Sequence, residues 1–236
     1  MKFYVLTLFP EMILQGLSHS VLKRALEGGV IEIHCVNIRD FSKNKHKQVD
    51  DYPYGGGAGM VLMPDCVYDA YLYAKEISGT SRVIHLSPKG KPFRQKTAEE
   101  FSRCGNVILL CGHYEGIDER VLEEIVTDEV SVGDYILTGG ELAAMILIDA
   151  TARLVPGVLN NHASQLDESF SNGLLEYPQY TRPEIFRGKP VPEVLLSGHH
   201  KNIEIWRREQ ALNVTKQKRP DMIDALENAK HSRNIQ

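Results

Sequence analysis

Nine residues, Val132-Gly133-Asp134-Tyr135-Ile136-Leu137-Thr138-Gly139-Gly140, combine three glycines, a tyrosine and one carboxylate, and they pass directly into the almost wholly apolar stretch Glu141 to Leu154. A mere surface connection needs only polar residues. Here bare backbone amides and carbonyls are offered beside a segment that must be buried, which is what a small-molecule pocket requires: little side-chain bulk and many directional hydrogen-bonding groups. The stretch reads as one half of a cofactor pocket.

A second glycine run, Gly55-Gly56-Gly57-Ala58-Gly59, follows the paired carboxylates Asp50 and Asp51. It has no G-K-[ST] and no hydrophobic strand ends just before it, so it is not a phosphate-binding P-loop. No strand-borne G-x-G-x-x-G appears either, which argues against a dinucleotide site. The run is either a plain flexible loop or a flap whose bare backbone approaches a base or phosphate, with the aspartates available to a base edge. Between Glu141 and Leu154 the only charges are Glu141, Asp149 and Arg153, whose spacings of eight and four assign them to one stripe of a helix. Asp149 and Arg153 form an i,i+4 ion pair, or the arginine is held in a pocket to stabilise an anion. Asp167-Glu168-Ser169 offers carboxylates that are either simply solvated or a source of general base.

His113, His162, His199 and His200 lack metal-ligand spacing, and the four cysteines form no C-x-x-C pair, so neither a metal site nor a disulfide framework is expected. Trp206-Arg207-Arg208 either stacks on a base and grips phosphate or anchors a small helical core.

These residues need elements to position them. Phe3 to Phe9 predicts a strand closed by Pro10. A helix capped by Ser18 or Ser20 runs to Glu27, and Val30 to Ile38 alternates as a second strand. A long polar passage, 39 to 59, precedes a helix from Pro64 to Ile77. Strands then alternate with helices: Arg82 to Leu86, Arg94 to Ser102 (helix), Asn106 to Leu110, Asp118 to Ile125 (helix) and Thr127 to Val132. Such alternation predicts an α/β domain with a mostly parallel sheet. Ligands of these sheets bind beyond the carboxyl ends of the strands. Three loops fall there: Ser87-Pro88, Gly112 to Gly116, and Gly133 to Gly140. The polar stretch Asn160 to Asn172 reads as a linker, and helical patterns over Asn202 to Val214 and Pro220 to Ala229 make a small second domain.

With 236 residues, 42% of them hydrophobic and 25% charged, the chain has the composition of an ordinary globular protein with a real core. The first strand is too short for a membrane span and lacks the features of a signal peptide; with the cysteine usage, a cytoplasmic location is expected. The net charge of −4 conceals a split: residues from Thr181 onward carry +4 and the remainder −8. A basic tail suits contact with a polyanion, although solubility alone would also explain it.

The motifs L-T-L-F-P-E-M, N-I-R-D-F, D-D-Y-P-Y-G-G-G-A-G-M, L-L-C-G-H-Y-E-G-I-D-E-R, V-G-D-Y-I-L-T-G-G-E-L-A-A-M, P-G-V-L, L-L-E-Y-P-Q-Y-T-R-P and L-L-S-G-H-H-x-x-I-x-x-W-R stand in this order as far as about Pro220. Together they resemble the bacterial tRNA (guanine-N1)-methyltransferases, the TrmD family of the SPOUT class. The resemblance implies a SPOUT-type α/β domain over 1–159, with a C-terminal trefoil knot at about 84–155 that binds the cofactor. A linker at 160–172 and a helical tRNA-binding domain at 173–236 follow. It further implies a homodimer, S-adenosylmethionine as methyl donor, and methylation of N1 of the guanosine at tRNA position 37.

By matching positions, the resemblance assigns cofactor contacts to Leu86, Ser87 and Pro88; to Gly112, Tyr114 and Glu115; to Val132, Gly133, Asp134, Tyr135, Ile136 and Leu137; and to Gly139 and Gly140. Substrate contacts fall on Asp50, Gly57 and Gly59, and catalysis on Arg153 and a linker carboxylate. The family carries an aspartate immediately before the Ser-Phe of the linker, where this chain has Glu168, with Asp167 one residue earlier. Glu168 is the expected base and Asp167 the alternative. In-line transfer from a sulfonium needs no metal in principle, and magnesium is left open. Two other readings compete: a SPOUT-class RNA ribose 2′-O-methyltransferase, and a non-catalytic RNA-binding dimer.

Overall fold

The computed structural model describes residues 1–80, 82–159 and 168–233, with side chains placed as far as residue 228. They form two compact units, Met1–Asn160 and Asn161–Gln236.

The first unit is built on a five-stranded sheet of β1 (Lys2–Thr7), β2 (Glu32–Asn37), β5 (Val83–Pro92), β6 (Asn106–Cys111) and β7 (Asp128–Ser131). The spatial order is β2-β1-β6-β5-β7, and every pairing is parallel. Strand alternation divides the core in two. Phe3 and Val5 of β1 face a cluster with Ile13, Leu17, Phe101 and Leu147, and Tyr4 and Leu6 face one with Val67, Ala70, Val121 and Ile125. Helices α1 (Pro10–Leu17), α2 (Ser20–Glu27), α4 (Gln95–Ser102) and α6 (Glu141–Ala152) therefore cover one face, and α3 (Pro64–Ser78) and α5 (Glu119–Ile125) the other. With both faces covered, the central strands read as continuous apolar runs; Val107 to Cys111 are fully buried.

The structure corrects the sequence reading at several places. The first strand stops at Thr7, and Pro10 opens α1 instead of only closing a strand; proline suits that first helical position because it has no N–H to leave unpaired. Helix α2 begins at Ser20 behind His19, and neither serine makes the cap bond. The passage from 39 to 59 contains a 3₁₀ turn (Ile38–Phe41) and ends in a short antiparallel ladder, β3 (Asp50–Asp51) with β4 (Val61–Leu62). The stretch Ser87-Pro88 is not a loop beyond a strand end. Strand β5 continues through it to Pro92, and both Leu86 and Lys91 pair with Val130, so residues 87–90 are an excursion within the strand.

The second unit contains a two-residue hairpin, β8 (Ile185–Phe186) with β9 (Lys189–Pro190), and helices α7 (Glu193–Leu196), α8 (His200–Lys218) and α9 (Pro220–Arg233). Its core is thin. The buried Thr215 hydroxyl donates to the Ala211 carbonyl at 2.7 Å and accepts from the Leu175 amide at 2.9 Å, which ties the entering segment to α8. Among the described residues, no helix is long and apolar enough to cross a membrane.

Candidate active site

A cleft of about 370 Å³ opens at the carboxyl ends of β6 and β7, beside the excursion within β5. Three segments build it. The excursion in β5 supplies Leu86, Ser87 and Pro88. The Ser87 hydroxyl accepts from the Lys89 amide at 3.1 Å, which turns the chain out of the strand. Gly90 lets it return, because a Cβ there would run into the backbone of Glu129 and Val130.

The second segment follows β6. Gly112, Tyr114 and Glu115 line the cleft, with Tyr114 in the left-handed region at φ 59° and its hydroxyl accepting from Arg39 at 3.3 Å. The third follows β7: Val132, Gly133, Tyr135, Ile136, Leu137, Gly139 and Gly140 all line the cleft. Ser131 exchanges hydrogen bonds with both the amide and the carbonyl of Gly133, at 3.3 and 3.1 Å, and so fixes the start of this loop.

The loop then closes onto the second segment. The Gly140 amide donates to the Gly112 carbonyl at 2.8 Å, and Gly139 pairs with His113 as an isolated antiparallel bridge. A Cβ on Gly140 would lie 2.7 Å from the Cys111 Cα, so no larger residue permits this approach. Beyond it, α6 is anchored by Glu141. That carboxylate is 2% exposed and accepts from the Thr7 hydroxyl at 2.7 Å, which links the helix to the end of β1. Glu141 therefore does not share one stripe with the exposed Asp149, as the spacing of eight had suggested. Eight residues at about 100° each leave it some 80° from Asp149, enough to turn it into the core.

Of the residues expected at a cofactor site, Asp134 alone is not part of the lining; it is exposed beside it. The residues expected to contact substrate also lie outside the lining, although their loop is tied to the rim. The Glu115 amide donates to Met60 at 3.0 Å, the Leu62 amide donates to Gly116 at 2.9 Å, and Gly59 abuts the Glu115 side chain. Asp50 stands in β3 opposite Leu62, and Gly57 has only Pro53 nearby. Arg153 is half-buried at the C-terminal end of α6, its amide donating to the Asp149 carbonyl at 3.2 Å. Glu168 belongs to the second unit, half-buried, with its carbonyl accepting from Ser171 at 3.2 Å. Asp167, His162 and most of the expected linker lie outside the described residues.

Sequence reasoning passed over His85 and Glu129, which both line the cleft. His85 is 8% exposed, with Nδ1 3.4 Å from a Glu129 carboxylate oxygen. Burial lowers its pKa from the ordinary value of 6.5, while the Glu129 carboxylate pulls the other way. The strand alternation that turns Ile84 to one side of the sheet was the available signal. His113 also lines the cleft; its ring lies against Phe9 and Tyr114, and its buried Nδ1 has no hydrogen-bond partner. Trp206 packs near Tyr180, with ring centroids 6.2 Å apart, and it is the Arg207 guanidinium that stacks, 4.9 Å above the Tyr177 ring.

The cleft suits a nucleoside-sized ligand: glycine backbone on two walls, aliphatic and tyrosine side chains around it, and an unpartnered buried ring nitrogen at one edge. Among the described residues no three metal-ligating side chains converge.

A family model described as tRNA (Guanine-1)-methyltransferase TrmD matches residues 1–225. Proteins named tRNA (guanine-N(1)-)-methyltransferase are similar over nearly their whole length. The one from Caldanaerobacter subterraneus is 60% identical, covering 94% of this chain and 92% of its own. Those from Lachnospira eligens and Clostridioides difficile are 58% and 56% identical, covering 95% and 94% of this chain and 95% and 97% of theirs.

Proposed function

Because the chain belongs to the tRNA (guanine-1)-methyltransferase family, we propose that it methylates the guanosine at tRNA position 37 with S-adenosylmethionine bound in the cleft between Gly112 and Gly140. The activity itself is methylation of a guanine at N1 in tRNA. The observation that supports the finer reading is the closure of Gly139-Gly140 onto Gly112-His113, which joins two glycine-containing backbone segments as a wall of the cleft.

When bound, S-adenosylmethionine supplies a methyl carbon activated by its sulfonium. The residues' own tasks follow from the geometry. The backbone of Leu86, Gly112, Val132 to Leu137 and Gly139-Gly140 would hold the adenosine by directional hydrogen bonds and keep water from it. Burial lowers the His85 pKa, which disfavours a positive charge on this ring beside a cationic ligand. Glu168 would take the proton from guanine N1, which must leave for the ring nitrogen to act as nucleophile. Arg153 would face the negative charge that then develops at O6.

The proposal includes a trefoil knot at about 84–155. It is supported by the tight passage of Gly140 against Cys111 and by the excursion of β5 past β7. It also includes a homodimer. Phe9 and Met12 at the start of α1 and Leu142 and Ile146 on the adjoining α6 are between 40% and 45% exposed, an apolar surface that a second copy would cover. The second unit would bind tRNA, and the enzyme would work in the cytoplasm.

The test is methyl transfer from tritiated S-adenosylmethionine to transcripts with guanosine or adenosine at position 37, followed by digestion to nucleosides. Label is expected as 1-methylguanosine from the first transcript alone. Equal labelling of both, or a methyl group on ribose, would overturn the reading.

A further inference from the structure

The second unit has a cleft of its own, about 610 Å³, whose lining includes none of the residues assigned to methyl transfer. It is lined by Asn172, Leu174, Leu175 and Tyr177 on one side and by His200, Glu204, Arg207, Arg208 and Ala211 of α8 on the other. The floor is apolar, with Ala211 only 7% exposed, and the rim is polar and mostly basic.

Two features set it apart from an ordinary solvated helix face. The Arg207 guanidinium lies 4.9 Å above the Tyr177 ring, so a flexible cationic side chain is already held against an aromatic face. Glu204 and Arg208 stand four residues apart in the order that favours a helix ion pair. Among the described residues they form none, which leaves a carboxylate and a guanidinium both directed to the cleft rim.

We propose that this cleft is a second nucleotide-binding site, which takes one unstacked nucleotide of the substrate tRNA other than the methylated guanosine. The base stacks on the Arg207–Tyr177 plate, Arg208 and His200 face the phosphate, and Glu204 accepts a hydrogen bond from an exocyclic amino group of the base. Plate and phosphate contacts are what single-stranded RNA recognition uses. The carboxylate adds a preference, since guanine, adenine and cytosine carry an amino group and uracil does not. The motif Trp206-Arg207-Arg208 left open a stacking tryptophan or a helical-core anchor; Trp206 packs near Tyr180, and in the proposed site the stacking surface is Tyr177 with Arg207.

The proposal rests on the tRNA reading above, and the experiment separates the two. The full-length protein is compared with Tyr177→Leu, Arg207→Lys and Glu204→Gln in steady-state methylation of a position-37 guanosine transcript, with circular dichroism melts for folding and calorimetry for S-adenosylmethionine affinity. The first two variants are expected to raise the KM for tRNA by roughly tenfold, as loss of one base–aromatic stack does. Their kcat and cofactor affinity should stay within about twofold. Arg207→Lys keeps the charge, so its effect reports the plate and not the general field. Glu204→Gln should narrow the difference in KM between the transcript and one whose anticodon-loop residues other than 37 are replaced by uridine. If the wild-type protein methylates the transcript and all three variants keep its KM, the cleft proposal falls and the tRNA reading stands. If the wild-type protein transfers no methyl group to tRNA, both fall.

Discussion

The amide of Gly140 donates to the carbonyl of Gly112 at 2.8 Å, and a Cβ on Gly140 would stand 2.7 Å from the Cys111 Cα. Two chain segments that are distant in sequence thus meet backbone to backbone, and the wall of the cleft exists only because they do.

Gly140→Ala should therefore act on folding and on binding together. The added methyl group has rigid backbone in front of it and no flexible side chain to displace, so the loop must retreat. Overpacking of this kind costs about 1–3 kcal/mol. Affinity for S-adenosylmethionine should fall at least tenfold. A thermal melt and a calorimetric titration check both effects, and an unchanged dissociation constant would show that the loop is not part of the cofactor site.

Thr7 and Glu141 form the joint behind that wall. The Thr7 hydroxyl donates to the buried Glu141 carboxylate at 2.7 Å and accepts from the Phe9 amide at 2.9 Å. Thr7→Val keeps the volume, removes the donor, and leaves a carboxylate in a site that is 2% exposed. A loss of about 2 kcal/mol in a denaturant titration is expected, because hydrogen bonds to charged groups contribute about 1.5–3 kcal/mol. In the Glu141→Gln background the same substitution should cost less, and a double-mutant cycle measures the coupling. Strict additivity would mean that the pair does not act as a joint.

His85 predicts a pH dependence of stability. Burial lowers its folded pKa below the ordinary 6.5, so the folded protein binds its proton less readily than the unfolded chain. The stabilisation that His85 lends is complete above 6.5 and is lost as pH falls from there towards the lowered folded value. Between pH 7 and pH 5.5 the wild-type melting temperature should drop more steeply than that of His85→Gln, which cannot take up the proton. Parallel curves would refute the assignment.

Much of this was legible in the sequence, and the reasons are physical. Strand-helix alternation and apolar runs revealed the parallel sheet, because strands buried on both faces tolerate little else. The glycine-rich stretch from Gly133 to Gly140 was readable as a pocket wall, because few folds need that much bare backbone beside a buried helix. What escaped depends on through-space geometry. The excursion at Ser87 to Gly90 exists because β5 resumes pairing with the same Val130 that it had just left, and no local pattern encodes that. The burial of Glu141 depends on Thr7, 134 residues away. His85 looked like one more strand residue until Glu129 was seen beside it. The Tyr177–Arg207 contact joins an irregular segment to a helix, and adjacency in the chain could not show it.

Leu142 and Ile146, one turn apart on α6, are 42% and 45% exposed in a helix whose other aliphatic side chains are mostly buried. If a second copy covers them, Ile146→Glu places a charge in an apolar interface and should convert the dimer to a monomer in analytical ultracentrifugation. Methyl transfer should be lost with it while the melting temperature of the first unit changes little. A dimer that persists with full activity would exclude this face as the interface.

The last prediction concerns the base. The resemblance implies an aspartate at the position of Glu168, and glutamate is longer by one methylene. A carboxylate acting as general base contributes about 10²–10⁴ in rate. Glu168→Gln keeps the shape and hydrogen-bonding capacity but cannot take the guanine N1 proton, so kcat should fall within that range while cofactor affinity stays within about twofold. The loss should shrink as pH rises and the N1–H begins to ionise without help, a signature that a merely structural role for Glu168 would not give. Glu168→Asp is the informative companion. If the segment adapts to side-chain length, this variant keeps most of the activity; if the carboxylate is held rigidly, it loses a large part, since a displacement of about 1 Å can cost about a hundredfold. Should Asp167→Asn abolish single-turnover methylation while Glu168→Gln leaves it near normal, the base is Asp167.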